Sequence, residues 1–287
     1  MSQQITLTAA MRANLLSLQT TQKLMDGTQQ KLATGLKVNT PLDNPASYFA
    51  ASGMRLRAND LGDLKDAMGN AIQVIKTSTT AVQGIQTLLK TAKGVIESAR
   101  TAAATDRASL GARFDEILRQ IDEMARDSDF QGINLVGRLG STATLDVLFD
   151  NRVGRSSASR LTVVGFAATY TALGTSGVTS ANARWSQNSG ANLNSVLNSQ
   201  LATISRAFAY LEAKAAGLAA NLAVISARLD YSTNMGNVLK EGADKLTLAD
   251  TNEEGANMLA LQTRQQLGVT SLSLASQANQ SVLRLFG

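Results

Sequence analysis

Between Leu61 and Ala99, twelve positions recur at alternating steps of three and four residues without a slip: Leu61, Leu64, Met68, Ala71, Ile75, Ser78, Val82, Ile85, Leu89, Ala92, Ile96 and Ala99. All but Ser78 are apolar. Such a seam commits the segment to one long helix packed lengthwise on another, as in a coiled coil. At about 1.5 Å per residue it would run roughly 58 Å. A partner of the same kind lies later in the chain. Leu197, Leu201, Ile204, Phe208, Leu211, Ala215, Leu218, Leu222, Ile225 and Leu229 hold the same rhythm, and Leu239 falls in phase. The two segments are expected to pair antiparallel. The core of that pair would be Leu64, Met68, Ile75, Val82, Ile85 and Leu89 against Ile204, Phe208, Leu211, Leu218, Leu222 and Ile225.

Punctuation supplies the other elements. The only prolines, Pro41 and Pro45, sit in NTPLDNPAS, where Asn44 is a candidate cap for a helix opening at Pro45. A break near Ala103–Asp106 precedes a shorter helix marked by Leu110, Phe114, Ile117, Ile121 and Met124, with Asp106 as its candidate cap. Alternation in Leu145, Val147 and Phe149, then in Leu161 and Val163, predicts a β-hairpin around NRVGRSSAS. Residues 167–192 are rich in Ser, Thr, Gly and Asn and hold the single tryptophan, Trp185; they read as an exposed loop. Asp250 and Glu253 resemble a capping box opening a final helix. The fold class is mainly α: a long antiparallel helical hairpin in a coiled-coil-like bundle, with a small β-hairpin and paired terminal helices.

The terminal helices look unfinished. Leu7, Met11, Leu18, Met25 and Leu32 form a stripe at one end; Met258, Leu261, Leu272, Ala275, Val282 and Phe286 share a face at the other. Their remaining faces carry little charge. Residues 1–40 hold only Arg12, Lys23, Asp26, Lys31 and Lys37, and residues 255–287 only Arg264 and Arg284. Solvated helices usually carry more. Glutamines fill the gap, and uncharged amides are buried at far lower cost than charges. Such surfaces suit burial among neighbouring copies; the bland alternative docks both helices on the parent bundle.

Composition narrows the chemistry. The 287 residues contain no cysteine and no histidine. Thiolate chemistry, disulfides and the commonest general base are therefore absent. No phosphate-cradling glycine loop or nucleophile elbow occurs. Asp60, Asp63 and Asp66 recur at helical spacing, a pattern expected of a solvated face rather than a metal site. No enzyme activity, cofactor or metal is expected. The net charge is +5, but the basic residues are scattered and stacking aromatics are few, so no nucleic-acid partner is expected either. The N-terminus lacks the pattern of a cleavable signal. No stretch reads as long and apolar enough to cross a membrane, and no membrane partner is expected.

Several segments resemble bacterial flagellin, in order at both ends. Near the N-terminus these are Asn14, Leu15 and Leu18, then Leu32-Ala33-Thr34-Gly35-Leu36-Lys37-Val38-Asn39, then Asp43-Asn44-Pro45-Ala46. Further on come Phe114-Asp115-Glu116-Ile117 with Ile121-Asp122, and Asp129-Phe130-Gln131-Gly132-Ile133-Asn134-Leu135. The C-terminal part contributes Ala227-Arg228-Leu229-Asp230, Leu274-Ala275-Ser276-Gln277-Ala278-Asn279-Gln280 and Val282-Leu283-Arg284-Leu285-Phe286. Asn44 departs from the family's paired Asp. The middle is short for the family, with little or no outer domain.

The resemblance implies a structural subunit that self-assembles into the flagellar filament for motility. A hook–filament junction protein is the alternative within the same structural class, and a coiled-coil adaptor or secreted translocator lies outside it. It implies that residues 1–44 with 247–287 line the inner tube, where the two terminal stripes would make the assembly contacts. Residues 45–246, with the β-hairpin and loop around 140–192, would form the surrounding wall. It further implies type III export without a cleaved leader, an extracellular filament, and as partners other copies, an export chaperone, the filament cap and the junction proteins. A host flagellin receptor binds many members at an Arg-x-Arg-Glu-Leu-Ala stretch. The matching residues here, Lys90-Thr91-Ala92-Lys93-Gly94-Val95, lack both guanidiniums and the carboxylate, so weak recognition is expected.

Overall fold

The computed structural model describes residues 9–137, 143–150, 159–174 and 181–286. In chain order the elements are α1 (Ala9–Thr34), α2 (Pro45–Thr101), α3 (Ala104–Asp127), β1 (Thr144–Leu148), β2 (Arg160–Val164), α4 (Ala181–Gln187), α5 (Gly190–Thr247) and α6 (Thr251–Phe286). The mainly helical class with a small antiparallel β-hairpin is as the sequence implies. Two compact units divide the chain, residues 59–236 forming one and residues 1–58 with 237–287 the other.

In the 59–236 unit the long seam of α2 is filled as its period demands. All twelve positions from Leu61 to Ala99 are buried, Ile75, Val82, Ile85 and Leu89 completely. From α5, Leu197, Ile204, Leu211, Leu218 and Ile225 are buried, while Phe208 and Leu222 are half-buried. Arg100 Nη2 donates to Asn198 Oδ1 at 2.6 Å, and Lys90 Nζ lies 5.5 Å from the centroid of the Phe208 ring. One contact runs forward along α2 as the other runs back along α5, so the helices are antiparallel here.

Helix α3 opens at Ala104 behind Ala103, which makes no side-chain cap bond. Asp106 is therefore not the cap; it lies in the first turn, where its charge still complements the helix dipole. The other end of α3 is closed more thoroughly. Asn134 Nδ2 donates to the Ala125 carbonyl at 2.8 Å and the Arg126 carbonyl at 3.0 Å, supplying donors to carbonyls that the helix leaves unpaired. Gln131 (φ 54°) and Gly132 (φ 82°) form the turn that returns Asn134 to that position. Gly132 N–H is held by Asp129 Oδ1 at 3.0 Å.

Strands β1 and β2 pair antiparallel with Asp146 opposite Thr162. The NRVGRSSAS turn expected between them falls almost wholly outside the described residues. Leu145, Val147 and Val163 are buried. Basic residues of α5 lie over aromatics beside the strands: Lys214 Nζ is 5.7 Å from the centroid of Phe166, and the Arg228 guanidinium 5.2 Å from that of Phe149.

Two expectations need correction. Residues 167–192 are not simply an exposed loop. They include the short helix α4, whose Trp185 is completely buried. Trp185 packs on Phe114 with centroids 5.4 Å apart and donates from Nε1 to Gln200 Oε1 at 2.9 Å. Polar composition concealed an amphipathic turn carrying a large apolar side chain. The expectation that no stretch could cross a membrane also fails. An 18-residue window of α5 reaches a mean hydropathy of 1.3, enough by length and composition, and 17% of it is buried.

The unit of residues 1–58 and 237–287 holds α1, α6, the start of α2 and the end of α5. Gly35, at φ +70°, ends α1, and its N–H bonds to the Lys31 carbonyl at 2.8 Å. The chain then runs beside the end of α5: Lys37 N–H donates to the Thr247 carbonyl at 2.8 Å, and Ala249 N–H to the Gly35 carbonyl at 2.9 Å. Asp43 Oδ2 accepts the N–H groups of Asn39 and Thr40 at 3.0 and 2.8 Å. Those two bonds, Thr40's first, hold its carboxyl below the ordinary 3.8. Asn44 caps α2 as expected, accepting the Ser47 N–H at 3.0 Å.

Candidate assembly site

Helices α1 and α6 pack against each other. Lys31 Nζ meets Glu254 Oε1 at 2.9 Å, Gln265 Nε2 donates to Gln22 Oε1 at 2.9 Å, and Asn14 Nδ2 to Ser271 Oγ at 3.4 Å. Ascending positions in α1 meet descending positions in α6, so the pair is antiparallel. Gly268 lets the two backbones approach: a Cβ there would lie 2.6 Å from Leu18 Cδ2. Asp250 Oδ1 caps α6 by accepting the Asn252 and Glu253 N–H groups at 2.9 and 3.3 Å.

The terminal stripes read from sequence lie on the facing sides. Met11 is buried, and Leu18, Met25 and Leu32 are half-buried; Met258, Leu261, Leu272 and Ala275 are also half-buried. Leu7 lies outside the described residues, as do the side chains of Val282 and Phe286. The structure fills the gaps in both stripes with residues that apolar pattern-matching passes over. In α1 these are Asn14, Thr21 and Thr28, with both threonines buried. Thr21 Oγ1 donates to the Ser17 carbonyl at 2.9 Å, so its hydroxyl is satisfied and its methyl is free to pack. In α6 they are Gln265 and Gly268. The three-four rhythm therefore runs unbroken from Met11 to Leu32 and from Met258 to Ala275. Polar members hid it.

A second set of apolar residues points away from this contact. Leu16, Leu24, Leu259, Leu267, Val269 and Leu274 are half or more exposed, Leu259 at 67%. These residues were not singled out by the periodic pattern, because each helix has one obvious stripe and they lie off it. A two-helix pair has only one internal face, so any further apolar side chains must stay outside. Single exposed leucines are ordinary, but a group of them on paired helices with few charges marks an interaction surface.

Comparison with known families agrees with this arrangement. Residues 5–138 match the bacterial flagellin N-terminal helical region, and residues 201–286 the bacterial flagellin C-terminal helical region. A flagellin of Brucella melitensis biotype 1 is 28% identical over 273 residues, covering 95% of each chain. Flagellin FljO of Caulobacter vibrioides is 28% identical over 277 residues, covering 95% of this chain and 94% of its own. Flagellin C of Rhizobium meliloti is 25% identical over 298 residues, covering 91% and 92%. These relatives are of similar length, so the short middle is shared with them. Nothing in these matches favours the hook–filament junction alternative. With both matched regions in order around the β-hairpin, and the terminal helices paired as their stripes require, the chain belongs to the bacterial flagellin family, whose members are structural subunits of the flagellar filament rather than enzymes.

Proposed function

We propose that the α1–α6 pair is the part of the subunit that lines the inner tube of the filament, with residues 1–44 and 247–287 in that role and 45–246 forming the wall. One observation carries the reading: the pair is joined face to face and still leaves Leu16, Leu24, Leu259, Leu267 and Leu274 in water. Burial of apolar surface is worth roughly 25 cal/mol per Å², and in a homopolymer the only surface always present in excess is another copy. The seam from Met11 to Leu32 and from Met258 to Ala275 keeps the two helices together, and the outward leucines meet neighbours.

Family membership supports a proposal of further partners. An export chaperone would hold the C-terminal segment before secretion through the flagellar type III apparatus. The cap would guide addition at the tip, and junction proteins would seat the first copies. The host flagellin receptor is expected to respond weakly, since Lys90-Thr91-Ala92-Lys93 offers no forked guanidinium where the family's recognised stretch has two.

The experiment is seeded polymerisation read by electron microscopy. Leu16→Asp and Leu267→Asp, each at an outward position, are expected to abolish elongation while leaving the helical content of the monomer unchanged. Filaments of normal length from either variant would remove the outward face from the assembly contact.

A further inference from the structure

Gly27 lies in the middle of α1, exposed, and a Cβ built there would meet nothing within 4 Å. Packing therefore does not require a glycine here, in contrast to Gly268, whose Cβ would lie 2.6 Å from Leu18 Cδ2. No turn requires it either, since the residue is helical and its φ is not positive. Apart from proline, glycine is the poorest helix former, so position 27 weakens α1 with no return in the fold. The residue before it, Asp26, is also exposed. Asp26–Gly27 is the sole Asp–Gly pair in the chain, and no Asn–Gly pair occurs.

An aspartate followed by glycine is open to cyclisation, because no Cβ on the second residue shields its nitrogen. The Gly27 nitrogen attacks Cγ of the Asp26 carboxyl. The N–Cγ bond forms, the Cγ–OH bond breaks, and the hydroxyl leaves with the amide proton as water. Hydrolysis of the resulting succinimide at its main-chain carbonyl takes up one water and leaves the chain running through the Asp26 side chain as isoaspartate. No oxidant, metal or co-reactant besides water enters. Helix α1 opposes the first step. A helical ψ of about −42° holds the Gly27 nitrogen away from Cγ, and the helix bond to the carbonyl four residues earlier occupies its N–H. Gln22 Nε2 donates to Asp26 Oδ1 at 2.9 Å and ties the carboxylate back along the helix.

We infer that Asp26–Gly27 is a site of spontaneous isoaspartate formation, open in free subunits and closed by assembly, so that chains left unassembled lose the ability to join a filament. The inference rests on the assembly reading, under which neighbouring copies hold α1 in its helix. The position makes the modification disabling. Isoaspartate adds one atom to the main chain, so the turns before and after residue 26 no longer share a register. The Asn14–Ser271 and Gln22–Gln265 contacts lie on one side of it and Lys31–Glu254 on the other. Buried Thr21 and Thr28 flank it. A single α6 cannot meet both halves of such an α1 at once.

The test uses the full chain, held at the same neutral pH and temperature as monomer, as seeded filament and unfolded in urea. Isoaspartate at residue 26 is quantified by peptide mass spectrometry with electron-transfer fragmentation. The expected result is formation in the monomer within about threefold of the unfolded chain and at least about tenfold slower in the filament, because access to the reaction follows local opening of α1. Aged parent monomer should lose seeded elongation in proportion to its isoaspartate content. Asp26→Glu, whose cyclisation needs a larger and slower-forming ring, should keep its elongation after the same ageing. Equal isoaspartate in monomer and filament, with the amides of residues 22–31 open to hydrogen exchange in the monomer, would overturn the inference and leave the assembly reading intact. Equal amounts with those amides protected in the monomer would defeat the reading that neighbours hold α1, and the inference with it. Full elongation by chains carrying isoaspartate would overturn the claim that the modification withdraws them.

Discussion

The backbone of Gly165 passes so close to Leu135 that a Cβ at position 165 would lie 2.9 Å from the Leu135 carbonyl oxygen and 3.1 Å from its Cα. The carbonyl of Ala143 would be 2.8 Å away on another side. This approach lets the chain leaving β2 bond to the segment after α3, through Phe166 N–H to the Leu135 carbonyl at 2.8 Å. Backbone atoms cannot swing aside as a long side chain would. Gly165→Ala is expected to destabilise the 59–236 unit by about 1–3 kcal/mol. Thermal melting checks this, and a melting temperature equal to the parent's would show that the segment has room.

Trp185 is the only tryptophan, so its emission reports on α4 directly. Its Nε1–H depends on Gln200 Oε1, and both side chains are buried. Gln200→Leu would leave that donor without its acceptor, at a cost of about 1–3 kcal/mol. Denaturant unfolding followed by fluorescence should show a lower midpoint. An unchanged midpoint would mean that water takes over the bond.

Acid should loosen the turn before α2. Hydrogen bonds from the backbone N–H groups of Thr40, then Asn39, lower the Asp43 pKa, so the folded state binds this proton less readily than the unfolded state does. The stabilisation is therefore present above the ordinary 3.8 and is lost as pH falls through the lower folded value. The amides of Asn39 and Thr40 are expected to lose protection on acidification when corrected for intrinsic exchange. In Asp43→Asn that acid-dependent loss should be absent. Protection that is the same at pH 5 and pH 2 in the parent would contradict the assignment.

Glu116 on α3 behaves alike for a different reason. Hydrogen bonding from Arg119, with a further bond from Gln120, lowers its pKa to about 2. The group is fully exposed, so its effect on stability is small, but its titration is directly observable. Carboxyl resonances in an NMR pH series should place its midpoint well below the ordinary 4.5 of a glutamate, and Arg119→Ala should return it to that range. A normal midpoint in the parent would break the pair.

Periodicity made the long helices readable because burial there is nearly complete: every seam position from Leu61 to Ala99 is buried, including Ser78, whose hydroxyl bonds to the Val74 carbonyl at 2.8 Å. Asn44 at the start of α2 and Asp250 at the start of α6 were legible because capping depends on local chemistry. Trp185 was not, since its burial depends on Phe114 and Gln200, residues distant in sequence. Nor was the α1–α6 face fully legible. Thr21, Thr28, Gln265 and Gly268 occupy it at positions where the apolar pattern stops, because a face between two slender helices accepts small and uncharged groups. The outward leucines of the terminal pair are visible only once the inner face is known.

That terminal pair carries the central claim, that α1 and α6 obtain much of their stability from neighbouring copies. Ordering each residue costs about 1–2 kcal/mol in backbone entropy, and a lone two-helix pair with a half-buried interface recovers little of it. Hydrogen–deuterium exchange measured on monomer and filament tests this most directly. In the monomer, amides of 9–34 and 251–286 should exchange almost unprotected while those of 61–99 and 197–230 are slow; in the filament all four segments should be slow. Strong protection of 9–34 and 251–286 in the monomer would contradict the claim, because the pair would then be stable without its neighbours.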